Sequence, residues 1–126
     1  MEKYSLLGID VGSTTVKMIV LNGNDIQYNN YKRHFSNIRL TLLELLKDCR
    51  EKLGELRVKA MITGSGGLSI STILGIPFIQ EVVAVTKSIK KYAPHTDVAI
   101  ELGGEDAKII YFTNGVEQRM NGVCAG

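Results

Sequence analysis

Apolar and polar positions change period along the chain, and each change marks an element. A short apolar run from Tyr4 to Asp10 ends in Asp10-Val11-Gly12-Ser13-Thr14-Thr15, the pattern of a buried strand entering a tight turn. A second strand reads from Val16 to Leu21, followed by hairpin chemistry at Asn22-Gly23-Asn24. A more polar third strand follows from Ile26 to about Lys32, so the opening predicts an antiparallel meander. Within it Tyr28 and Tyr31, three positions apart, fall on opposite faces. Helical spacing then takes over. Ile38, Leu42, Leu45, Leu46, Cys49 and Leu53 share one face, with Ser36 as candidate N-cap and Gly54 as candidate C-cap.

Val58 to Ile62 reads as a short buried strand leading into Thr63-Gly64-Ser65-Gly66-Gly67, then a short helix from about Leu68 to Leu74 that stops at Gly75. Phe78 to Gln80 is a candidate brief strand, and Val82, Val85, Ile89 and Ala93 have helical spacing. Strand signals return at Val98–Leu102, Ala107–Phe112 and Val116–Met120, with Asn114-Gly115 as a hairpin turn. The second strand trio repeats the first. In both, a strand ends in a carboxylate and a glycine turn and the next strand carries a lysine: Asp10 with Lys17, Glu101 with Lys108. The second trio lacks following helices, which leaves an apolar sheet face uncovered and reads as part of something longer. The expected organisation is one lobe over 1–94 and the first strands of a second lobe over 95–126.

Composition narrows the function classes. A hydrophobic content of 44% and a charged content of 22% over 126 residues describe an ordinary folded domain, not a disordered tail. The net charge of +2 arises from 15 basic and 13 acidic residues that are interspersed, so charge suggests no nucleic-acid partner. No apolar run approaches the roughly 18 residues of a membrane span, and no signal region is evident at the start. The two cysteines, Cys49 and Cys124, form no disulfide framework, which makes a reducing cytoplasm the expected compartment.

The two glycine turns carry the candidate chemistry. In Asp10 to Lys17 (DVGSTTVK), Gly12 allows close backbone approach, and the amides and hydroxyls of Ser13, Thr14 and Thr15 suit phosphate oxygens. Asp10 is an oxygen ligand for Mg²⁺, best through water, because that ion keeps part of its hydration shell. In Glu101 to Lys108 (ELGGEDAK) the same logic recurs with Gly103 and Gly104. Each turn alone could be a hairpin with a solvated acid; their recurrence at the same place in a repeated strand pattern is the specific signal. Neither is a Walker-type loop, since no glycine run is followed by Lys-Ser or Lys-Thr at that spacing.

These paired motifs resemble the acetate kinase, sugar kinase, Hsp70 and actin superfamily, whose two ribonuclease-H-like lobes hold ATP. Within it, GIDVGSTTVK, the TGSG segment, ELGGEDAK and MNGVCAG together resemble the BadF/BadG/BcrA/BcrD-type ATPases, the activators of 2-hydroxyacyl-CoA dehydratases and the ATPase subunits of benzoyl-CoA reductase. The resemblance runs along the whole chain but matches only the N-terminal part of the family's length. It implies an α/β fold: a ribonuclease-H-like (actin-like ATPase) lobe with a mixed sheet, plus the first strands of a similar lobe. It assigns Asp10, Gly12, Ser13, Thr14, Thr15 and Lys17 to the first phosphate motif and Gly103, Gly104, Asp106 and Lys108 to the second. Asp10 and Glu101 would organise Mg²⁺ and the attacking water. Cys124 matches the family cysteine that ligates a [4Fe-4S] cluster at a homodimer interface, from which ATP hydrolysis drives an electron to a dehydratase or reductase component. Two positions depart from the pattern: Glu101 stands where aspartate is commoner, and Glu105 where the small activators have glutamine.

Other readings stay open at this point. A small-molecule kinase of the same superfamily fits the turns, as does a non-catalytic nucleotide-binding or dimerisation module. This stretch alone is expected neither to turn over ATP nor to hold a stable cluster, because half the family's cleft and further ligands are missing from it. Cys49 reads as core. The TGSGG segment could bind an anion at a helix start or simply connect strand to helix. Glu81 could face a cleft or serve as an ordinary helix N-terminal acid, the lysines at 87, 90 and 91 read as a solvated helix face, and His34 and His95 read as solvent-exposed.

Overall fold

In a computed structural model, residues 3–104, 106–113 and 116–121 are described. The chain folds as two compact units, Met1–Ile79 and Gln80–Gly126.

In the first unit β1 (Ser5–Val11), β2 (Thr15–Asn22) and β3 (Asp25–Arg33) form the expected meander, and β4 (Val58–Thr63) adds in parallel to β1, giving the order β3-β2-β1-β4. The parallel addition follows from the helix between β3 and β4, because only a crossover can return the chain in the same direction. Strict alternation then sorts the sheet. Leu7, Ile9 and Val11 on β1, Val16, Met18 and Val20 on β2, and Ile62 on β4 are buried on one face. Helix α1 (Ile38–Leu53) covers that face with Leu42, Leu45 and Cys49, and α2 (Gly67–Leu74) adds Ile70. Each fully buried aliphatic side chain contributes roughly 1.5–3 kcal/mol, so this one-sided core holds the unit together. Phe78 meets β4 through a single parallel bridge to Ile62, the whole of the brief strand foreseen there.

Four expectations are corrected. β4 is not buried throughout: Val58 and Met61 are exposed and only Ile62 is fully buried. The N-cap of α1 is Asn37, whose side chain accepts the Leu40 amide at 3.2 Å, not Ser36. Ser36 is unavailable because it and Phe35 both adopt left-handed backbone, with φ of 66° and 46°. Leu46 is 37% exposed, while Thr41 takes its place inside, its hydroxyl bonded to the Asn37 carbonyl at 2.8 Å. The buried stripe is thus centred on Leu45, which turns Leu46 to its margin. His34 is buried at 8% exposure instead of solvated, because both ring nitrogens find partners. Gly54, at φ 75°, closes α1 as expected, and Tyr28 is buried where Tyr31 is exposed.

The second unit contains α3 (Glu81–Tyr92) and an antiparallel meander of β5 (Val98–Leu102), β6 (Ala107–Thr113) and β7 (Val116–Asn121). Among its described residues Ile110 is the most buried aliphatic one. On the other side of β5, Val98, Ile100 and Leu102 are exposed, so that edge of the apolar sheet face is uncovered, as the pattern predicted. The Asn114-Gly115 turn lies outside the described residues.

Candidate functional site

The core-facing alternation of β1 fixes where its carboxylate goes. With Ile9 and Val11 inward, Asp10 must stand on the opposite face of the sheet, beside Lys17 of β2 and Thr63 of β4 in register. Lys17 Nζ lies 3.6 Å from Asp10 Oδ2, and the two side chains are 56% and 36% exposed. A pair this wet contributes at most about 1 kcal/mol to stability. Thr63 Oγ1 is buried and has no hydrogen-bond partner among the described residues.

The turn after β1 is closed by the Gly12 amide donating to the Thr15 carbonyl at 2.9 Å. The Ser13 and Thr14 amides carry no partner among the described residues, so two donors remain for a ligand. Thr15 opens β2. On the carbonyl side the turn is pinned by His34: its Nε2 lies 3.0 Å from the Gly12 oxygen, and its backbone amide donates to the Thr14 oxygen at 2.9 Å.

The TGSG segment belongs to the same place, which the sequence pattern did not reveal. Gly64 has φ 103°, and a Cβ there would lie 2.2 Å from the Val11 carbonyl oxygen and 2.6 Å from Asp10 Oδ1. Only glycine lets this loop press against the acid. Gly66 then donates to the Val11 carbonyl at 2.9 Å, tying the start of α2 to the end of β1. The missed signal was the parallel pairing of β4 with β1, which brings Thr63 beside Asp10.

In the second unit Glu101 stands opposite Lys108 on β5 and β6, the same cross-strand relation as Asp10 and Lys17. Its turn closes with the same bond, from the Gly103 amide to the Asp106 carbonyl at 2.8 Å. Asp106 therefore occupies the position of Thr15, and a Cβ on Gly103 would come 2.9 Å from its Oδ1. Gly104 is exposed in that turn. Lys108 is ion-paired with Glu81, the first residue of α3, with both side chains mostly buried at 14% and 18% exposure. Glu81 thus has a partner in its own unit that the sequence pattern did not anticipate.

The oxygen donors around the first turn are of the kind a hydrated Mg²⁺ would take. Asp10 offers one accessible carboxylate beside the buried Thr63 hydroxyl, and no group of three or more His, Cys, Asp or Glu among the described residues could hold a metal by protein ligands alone. Cys124 and Glu105 lie outside the described residues. Cys49 is core, and burial pushes its thiol pKa up, as befits an inert thiol. His95 is exposed.

No protein-family model matches the chain. The fold is that of the actin-like ATPases, with a ribonuclease-H-like mixed sheet. Component A of the (R)-2-hydroxyglutaryl-CoA dehydratase of Acidaminococcus fermentans superposes with a TM-score of 0.71 at 25% identity, over 94% of this chain and 48% of that one. The activator of the 2-hydroxyisocaproyl-CoA dehydratase of Clostridium difficile, solved with bound ADPNP, gives 0.73 at 22% identity over 93% and 46%. The ethanolamine utilization protein EutJ of Carboxydothermus hydrogenoformans gives 0.72 at 14% identity over 100% and 54%. In sequence, an uncharacterized protein of Methanocaldococcus jannaschii is 31% identical over 108 residues, covering 83% of this chain and 42% of that protein. The chain therefore spans about half the length of these relatives or less. No helix among the described residues is long and apolar enough to cross a membrane.

Proposed function

We propose that the chain is the nucleotide-binding part of an ATP-hydrolysing activator, one that drives low-potential electron transfer to a 2-hydroxyacyl-CoA dehydratase or a related reductase. The observation that carries this reading is the repeat of one local device: a carboxylate opposite a lysine, next to a glycine turn closed by the same hydrogen bond. Its support on the partner side is the likeness to two dehydratase activators, one of them solved with ADPNP.

In this reading the Ser13 and Thr14 amides, with the Thr14 and Thr15 hydroxyls, take phosphate oxygens at the first turn, and Gly103 and Gly104 allow the same approach at the second. Such preorganised donors stabilise the charge that spreads over the transferring phosphoryl group. Asp10 and Glu101 hold and orient the water around Mg²⁺, the ion that neutralises phosphate charge when bound. Lys17, 3.6 Å across the strands, helps to position the Asp10 carboxylate, and Lys108 and Asp106 serve the second turn. The lobes drawn from the repeat are 1–94 and 95–126, a boundary later than that of the compact units, where α3 falls within Gln80–Gly126. Cys124 is a ligand of the [4Fe-4S] cluster that supplies the electron, in a cytoplasmic homodimer.

Titration of the chain with Mg-ADPNP, against Asp10→Ala, tests the nucleotide half: saturable binding that the variant loses. Anaerobic loading of the intact protein with iron and sulfide tests the activator half: retained iron that disappears in Cys124→Ala. Phosphoryl transfer to a small acceptor by a protein that never holds iron would replace this reading with a kinase.

A further inference from the structure

His34 lies outside every motif of the phosphate turn, yet it holds that turn at two points. Its Nε2 is 3.0 Å from the Gly12 oxygen, its backbone amide donates to the Thr14 oxygen, and its Nδ1 accepts the Ser36 amide at 3.0 Å. Because Nδ1 is an acceptor there, the proton of the neutral ring sits on Nε2, which makes Nε2 the donor to Gly12. A trans peptide carries its C=O and N–H on opposite sides. Fixing the Gly12 oxygen toward the imidazole therefore aims the Ser13 N–H away from it, and that amide is one of the turn's two free donors.

The backbone around His34 is shaped to keep the ring so. Phe35 and Ser36 are consecutive non-glycine residues in left-handed conformation, and Phe35 is left 80% exposed. This conformation of Ser36 accompanies its amide's bond to Nδ1, and it displaces the N-cap of α1 to Asn37. Strained backbone that persists in this way marks a place where geometry is being held.

We infer that His34 is a positioning residue for phosphate binding: its Nε2–H sets the Gly12-Ser13 peptide plane so that the Ser13 amide points at a nucleotide phosphate. The inference rests on the proposed reading of the 10–17 turn as a phosphate site.

Two conservative variants separate the two ring nitrogens. His34→Gln places an amide N–H where Nε2 stands and gives up the acceptor for Ser36. His34→Asn keeps an oxygen near Nδ1 and gives up the donor to Gly12. If His34 acts as inferred, Mg-ADPNP affinity falls roughly tenfold in His34→Asn and stays within about twofold of the parent in His34→Gln, the span of one hydrogen bond. A merely structural histidine would let affinity follow thermal stability in both variants. Backbone NMR of the nucleotide-free chain gives the independent readout, with the Ser13 amide signal displaced in His34→Asn and preserved in His34→Gln. An unmoved Ser13 signal in His34→Asn, or equal affinity in the two variants, overturns the role of His34. A parent chain with an ordered Ser13 signal that takes no Mg-ADPNP overturns instead the phosphate reading, and the binding role of His34 with it.

Discussion

Asp10 and Lys17 face each other across β1 and β2 on the side of the sheet away from the core, 3.6 Å from Oδ2 to Nζ. Both are too exposed for the pair to matter much to folding, so their placement is free to serve a ligand. Asp10→Asn should change unfolding free energy by less than about 1 kcal/mol. The same variant should lose the Mg²⁺ dependence of ADPNP binding. Denaturant unfolding beside titrations with and without Mg²⁺ checks both halves, and an undiminished Mg²⁺ dependence would show that Asp10 is not the site of the ion.

Gly64 should be the least replaceable residue near the turn. A Cβ there meets the Val11 carbonyl oxygen at 2.2 Å and Asp10 Oδ1 at 2.6 Å, at a φ of 103° that side chains avoid. Gly64→Ala should therefore destabilise the chain by roughly 2–4 kcal/mol, the sum of backbone strain and overpacking. Gly23→Ala is the control, since its Cβ would meet nothing within 4 Å although its φ is also positive. Equal losses in the two variants would mean that conformation, not contact with β1, sets the cost.

The strands and helices were legible because period alone separates them: β1 and β2 alternate, and α1 repeats at three and four. The acid–lysine repeat was legible as well, since Asp10 with Lys17 and Glu101 with Lys108 have the same spacing in sequence. What could not be read were relations between segments distant in sequence. Thr63 and Gly64 join Asp10 only through the parallel pairing of β4, and Lys108 meets Glu81 only once α3 is placed. His34 failed for a different reason. Polar neighbours suggested a solvated loop, whereas two ring hydrogen bonds, one of them to backbone reshaped at Phe35 and Ser36, make its burial tolerable.

Tyr28 should ionise late. Burial, and then its 2.7 Å hydrogen bond to Asp48, push its pKa from 10.0 up to about 12. The folded state thus keeps a proton that the unfolded state gives up above about 10, so this contribution is complete below pH 10 and is lost as pH rises to 12. Asp48 has the opposite sign: hydrogen bonds from Tyr28 and Lys52 hold its pKa below 3.8, so its contribution fades as pH falls through the acid range. The difference in phenolate absorbance between the parent chain and Tyr28→Phe should titrate near 12. A difference curve centred near 10 would mean that neither burial nor the Asp48 bond holds the proton on the hydroxyl in solution.

Lys108 has two claims on it: the ion pair with Glu81 and the phosphate role proposed for the second turn. Glu81→Gln weakens the first claim while keeping the shape of the side chain. Stability should fall by about 1–2 kcal/mol, since a mostly buried ammonium loses the carboxylate of Glu81. Nucleotide affinity should rise a few-fold, because Lys108 no longer has to leave the Glu81 carboxylate to meet a phosphate. Lys108→Met removes the positive charge and should cost affinity whatever stands at 81. Unfolding curves and Mg-ADPNP titrations on the two single variants and the double variant separate these effects. If Glu81→Gln binds nucleotide more weakly than the parent, Lys108 acts from within its pair, and Glu81 belongs to the second turn's binding apparatus instead of competing with it.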